Sequence, residues 1–236
     1  MAASAAAVPV GLELLDHLCR VAAAASPAAR GLISTATSGL LGRGWLPSVD
    51  SLIETTSHSL DIAPADLRAE LPWLQETGLL EIADNRVLSL GCLFATRKTG
   101  LTLTLDEKHA VDLLGPLAAL AAPVALQHAG AIRGRCAQSP DSAFQLLADE
   151  EGVHSRDPAG VALFLPAWQP GQRPTQVMGA GVFLADDDAL SDWQSQHGEP
   201  QGMPVLGMFF AMAAGDLGVK LGTALAPLFN HLPDFD

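Results

Sequence analysis

The sequence predicts an α+β protein: a helical, winged-helix-like module first, then a domain built on a small mixed or antiparallel sheet. Three observations predict this. Residues 1 to 88 carry apolar side chains at helical spacing and close on a hairpin signal. From residue 89 the pattern changes to short alternating runs separated by Gly- and Pro-bearing turns. With 49% hydrophobic and 17% charged residues, the 236-residue chain can bury a sizeable core. The expected division is residues 1–88 and 89–236.

In the first part, "LELLDHLCRVAA" has helical periodicity, and "ARGLISTATSGLLGRG" ends in Gly42 and Gly44, as helices tend to. A short helix starts behind Ser48 in "PSVDSLIETTSHSL". The next opens on Pro64 and sets Leu67, Leu71 and Leu74 on one face. "LEIADNRVLSL" follows as a hairpin with Asp84 and Asn85 as its turn. Three helices and a β-wing suggest DNA recognition, but the would-be recognition helix sets Asp66, Glu70 and Glu76 against Arg68. The whole chain has 26 acidic residues to 13 basic ones, a net charge of −13. Affinity for phosphate backbones comes mostly from Lys and Arg, so no nucleic-acid partner is expected.

In the second part, "LSLGCLFATRKTGLTLTL", "AIRGRCAQ", "AFQLLADEEGVHSRD", "GVALFLPAW" and "QVMGAGVFLA" read as strands. "DDDALSDWQSQHG" reads as a helix with an acidic first turn, closed by Gly198. "MPVLGMFFAMAAGDLGVKLGTALAPLF" reads as a buried or interface helix, with Asp216 and Lys220 paired at i,i+4 and an apolar face suited to a homodimer. Its charge-free run is shorter than the roughly 20 residues that span a bilayer, so no membrane association is expected. Glu13, Asp16 and Arg20 interrupt the Ala-rich start, which does not read as a signal peptide. Cys19, Cys92 and Cys136 are odd in number and widely spaced, which argues against a disulfide framework and fits a reducing cytoplasm.

The passage "DEKHAVDLLGPLAALAAPVAL" predicts an Ala-rich helix over residues 107–122 that opens with His109 and Asp112 on one face. An imidazole, with a pKa of about 6.5, suits proton transfer at neutral pH, and a carboxylate beside it would raise that value. The bland reading is a polar first turn. Met178, Met203, Met208 and Met212 could offer thioethers to Cu(I) but suit packing better. His128, His154 and His197 lack ligand spacing, and Trp168 and Trp193 suit a core or a pocket rim.

Three passages resemble the organomercurial (alkylmercury) lyases: "SLDIAPADLRAELPWLQETGLLEIADNRVLSLG", "CAQSPDSAFQLLADEEGVHSRDPAGVALFLP" and "GVFLADDDALSDWQSQHGEPQGMPVL". The second carries the family's pattern at Cys136, Ser139, Pro140, Gly152, Val153, Ser155, Pro158 and Ala159. The resemblance runs from about residue 30 to 205 and implies an alkylmercury-lyase-like domain behind the helical module. In the family two thiolates hold mercury, and an Asp handles the proton that cleaves the carbon–metal bond. At the matching positions this chain keeps Asp112 but has His109 and Met178 in place of the thiols. The resemblance therefore implies a pocket bounded by Met178, Cys136 and Phe183.

Mercury is soft and prefers anionic thiolate, so imidazole and thioether are poor replacements. The expectation is a diverged lyase-like enzyme, without cofactor, acting on a metal-free small organic substrate. His109 and Asp112 would supply the acid–base chemistry of an elimination, isomerisation, cyclisation or hydrolysis. One alternative is a non-catalytic binding protein for a small ligand, or for a metal held by His109, Asp112 and Met178. The other is a true organomercurial lyase that recruits Cys92 or Cys136.

Overall fold

A computed structural model describes residues 12–44, 48–105, 109–166, 172–197 and 202–229. Its first elements follow the capping chemistry of the sequence. Helix α1 (Leu12–Ala24) leads into α2 (Pro27–Arg43), which starts behind Ser26, whose hydroxyl accepts from the Ala29 amide, and stops at Gly44 with φ 74°. Ser48 caps α3 (Val49–Leu60), and Pro64 opens α4 (Pro64–Glu76), which buries Leu67 and Leu74. Strands β1 (Leu80–Ala83) and β2 (Arg86–Leu90) form the hairpin, with Asp84 and Asn85 at φ 49° and 59°. Positive φ at both turn residues matches the twist of the flanking strands. Helices α2, α3 and α4 and the hairpin follow one another in the order read from the sequence. The core continues past residue 88, because β2 also pairs with β3 (Phe94–Ala95).

The larger sheet has the order β5-β4-β6-β7-β8, with every pair antiparallel. Its strands are β4 (Thr102–Leu105), β5 (Ala110–Asp112), β6 (Gly130–Cys136), β7 (Ser139–Asp149) and β8 (Gly152–Asp157). A smaller antiparallel sheet sets β9 (Ala162–Pro166) between β10 (Val182–Leu184) and β11 (Gly202–Val205). Helix α5 (Pro116–Leu126) is buried on nearly every face, which explains its alanines. It packs against α8 (Asp216–Leu225) at backbone distance. A Cβ at Gly218 would lie 2.7 Å from Leu120 Cβ, and one at Gly222 2.5 Å from Val124 Cβ. The other face of α8 receives α1, so the first and last described α-helices pack together. Asp186 caps α7 (Asp187–Gln196), and Lys220 pairs with Asp216 at 2.6 Å as expected.

Three local expectations need correction. The helix expected over 107–122 covers 116–126 instead, and Ala110–Asp112 pair with Thr102–Thr104 as a strand. Proline disfavours α conformation in the residue before it, so Gly115 ends the extended segment and Pro116 starts the helix. The stretch "QVMGAGVFLA" is not one strand: Met178 ends a short helix, α6 (Pro174–Met178), and β10 begins only after Gly181, at φ 102°. The apolar C-terminal stretch is not one helix either. It runs through β11, a 3-10 turn (Gly207–Phe209) and a π turn (Ala211–Gly215) before α8. Trp168 and Gly198 lie outside the described residues. Among the described residues no helix is long and apolar enough to cross a membrane.

Candidate functional site

The β5–α5 turn is held tightly from both sides. Leu113 N–H donates to Leu101 O at 2.9 Å and Leu114 N–H to Leu93 O at 2.8 Å. Asp112 Oδ1 accepts from the Thr99 amide at 2.9 Å and from its hydroxyl at 3.4 Å. Next along the chain, Gly115 abuts Gly179, so the start of α5 and the end of α6 meet through bare backbone. Above this contact lies a cleft of about 230 Å³. Its walls come from Thr99–Leu101, Leu114–Pro116 and the segment around Gly179–Phe183, with Arg135, Ala137 and Phe144 from the large sheet. Phe183 packs on Phe144 with ring centres 4.5 Å apart, and its carbonyl accepts from the Ala137 amide at 2.9 Å. The cleft is thus lined by polar and apolar groups in similar measure, with Thr99 and Arg135 beside Leu101, Leu114, Phe144 and Phe183. At this size it falls just below the usual ligand pocket of about 300–1,000 Å³, so it suits a small molecule.

The five residues singled out in the sequence fall around this cleft unevenly. Phe183 lines it. Asp112 stands behind it, half-buried and bonded to Thr99, which does line it. Met178 is fully buried in the core, one residue before Gly179. Cys136 is buried between the lining residues Arg135 and Ala137, and burial pushes its thiol above the ordinary range, with the charge of Asp186 adding to the rise. His109 is exposed and belongs to another neighbourhood. Its Cβ and Cγ lie 3.8 Å from where a Cβ would stand on Gly44, at the C-terminal end of α2.

The face shared by His109 and Asp112 on a helix does not exist. His109 precedes β5 by one residue, and three residues of extended chain span about 10 Å. Side chains at i and i+3 of extended chain also leave on opposite sides. Nor do the donors of the metal alternative meet, since His109 is exposed and Met178 fully buried. Among the described residues no group of three or more His, Cys, Asp or Glu is placed to hold a metal ion.

Sequence reasoning missed Thr99, Arg135 and Phe144, which sheet pairing brings together from distant segments. It also missed the contact of Gly115 with Gly179. The signals present were the Gly115–Pro116 step and the Gly-Ala-Gly run at 179–181, each marking a place where backbone must turn or approach closely.

Neither a family model nor a curated protein matches this chain. Among solved structures, the crystal structure of the mercury-bound form of MerB2 is similar over 90% of this chain and 98% of that one, with a TM-score of 0.66 and 15% sequence identity. At that identity the likeness carries the fold and not the chemistry: the chain has a MerB-like α+β fold.

Proposed function

We propose that the chain is a small-molecule binding protein on a lyase-like fold, with a small organic ligand in the cleft beside Asp112. The observation that carries this reading is the separation of His109 from Asp112. The one carboxylate in the family register spends Oδ1 on Thr99, while the imidazole sits exposed against the end of α2. A proton-transfer pair needs hydrogen-bond reach, directly or through one water. The cleft itself remains open, lined by Leu101, Leu114, Phe144 and Phe183. No cysteine lines it, so methyl- and phenylmercury are not cleaved in this reading.

A ligand-observed NMR screen of small apolar and weakly anionic fragments tests the proposal. Val182 lines the cleft and is half-buried, so Val182→Trp plugs it without entering the deep core. Fragments that bind the native chain lose binding in this variant. Hits that bind both proteins equally would place the ligand elsewhere and end the reading.

A second reading keeps catalysis, with Asp112 as the acid–base group on a metal-free substrate. Its support is that Oδ2 of Asp112 has no hydrogen-bond partner among the described residues. On this reading Asp112→Asn lowers turnover of a bound fragment by about two to four orders of magnitude and leaves its binding intact.

A further inference from the structure

The cleft beside Asp112 is small beside a second one in the helical module. This second cleft, of about 810 Å³, lies between α2 and α3. We infer that it is a second ligand site, taking an organic anion with an apolar body.

The cavity exists because α2 presents a recessed wall. Ser34, Thr35 and Ser38 line it with short side chains, while Gly31 seats α3 directly: a Cβ there would lie 2.3 Å from Leu60 Cδ1. These residues disfavour a helix interior, where glycine costs about 1 kcal/mol relative to alanine. Opposite stand the hydroxyls of Thr55 and Ser59, with Leu60 and Ile62 at one end beside Ala25 and Pro27. Leu60 packs on Gly31 yet remains 47% exposed, which leaves an apolar wall.

Charge selects the ligand's sign. The chain carries 26 acidic residues, yet none lines this cleft, and its two charged lining residues are Arg30 and Arg43. Arg30 is half-buried and fixed. Its Nε donates to Ala25 O and its Nη2 to Ala22 O, each at 3.2 Å, at the C-terminal end of α1. Nη1 has no partner among the described residues. A guanidinium anchored along one edge offers the other to a carboxylate at little further entropic cost. The apolar end of the cleft adjoins Arg30, so one compact ligand satisfies both.

Calorimetric titration of the full chain with decanoate, decanol and decyltrimethylammonium tests the inference. Decanoate binds about tenfold or more tightly than decanol, the scale of a charged hydrogen bond, and decyltrimethylammonium does not bind. Ser38→Phe, at a half-buried wall position, fills the cleft and abolishes decanoate binding, whereas Val182→Trp in the smaller cleft leaves it unchanged. Arg30→Gln weakens decanoate about tenfold and leaves decanol unaffected. Circular dichroism establishes that each variant is folded, and Ser38→Phe carries the test alone if loss of Arg30 unseats α1. Equal affinity for decanoate and decanol, intact binding in Ser38→Phe, or no decanoate binding up to millimolar concentration overturns the inference.

Discussion

Gly115 and Gly179 touch through their backbones: a Cβ built on Gly115 would lie 2.5 Å from the Gly179 carbonyl oxygen and 2.7 Å from its Cα. No rotamer change relieves such a clash, because both neighbours are main chain. The contact joins the start of α5 to the end of α6 and forms the floor of the cleft beside Asp112. Gly115→Ala therefore forces the two segments apart. The expected loss is about 2–3 kcal/mol, the scale of overpacking a tight interior, or roughly 5–10 °C in Tm for a chain of this size. A thermal melt checks it. An unchanged Tm would mean that the two turns yield freely.

Asp112 has a structural duty that can be measured apart from any chemistry. Its Oδ1 satisfies the half-buried Thr99 amide at 2.9 Å. Asp112→Ala leaves that amide without its acceptor and costs about 1–2 kcal/mol by urea denaturation. Asp112→Asn retains an acceptor oxygen and costs under about 1 kcal/mol. Amide hydrogen exchange at Thr99 speeds up in the alanine variant. Unchanged exchange there would show that the bond does not hold the loop.

The elements legible in the sequence were those set by local chemistry. Ser48, Pro64 and the Asp84–Asn85 turn fix their own backbones, so reading along the chain finds them. Strand β5 is three residues long and exists through its pairing with Thr102–Thr104, which no local pattern announces. Reading its alanine and valine as the first turn of a helix joined His109 to Asp112, and the strand separates them. The cleft follows the same rule. Phe183 was reached through the family resemblance, whereas Arg135 and Phe144 meet only through the β6–β7 ladder, where Arg135 pairs with Ala143 and Gly134 with Phe144.

The three cysteines differ sharply in environment. Cys19 is exposed, while Cys92 and Cys136 are buried. Cys92 Sγ donates to Gly78 O at 3.2 Å, and its pKa is pushed up to about 12, first by burial and then by the charge of Glu81. One thiol should therefore react quickly with Ellman's reagent at pH 8, and all three in denaturant. Two fast thiols in the native protein would contradict the burial of this pair.

The same shift sets a dependence of stability on alkali. Cys92 ionises from an ordinary value of 9.0 in the unfolded chain and from about 12 in the folded one. Between those values the folded state binds more protons than the unfolded state, so stability falls as pH rises. Below about pH 9 both states are protonated and the group contributes no slope. Urea midpoints measured from pH 8 to 11 should decline in the native chain and decline less in Cys92→Ala. Parallel curves would remove Cys92 as the cause.

The packing of α1 against α8 orders events during synthesis. The two helices are separated by roughly 190 residues, which a ribosome adds in about 10–40 s at 5–20 residues per second. Through that interval α1, whose Leu14 and Leu18 are fully buried in the finished molecule, lacks the helix it packs against. Nascent α1 is thus an apolar segment awaiting its partner, open to a chaperone or to another nascent chain until α8 leaves the tunnel.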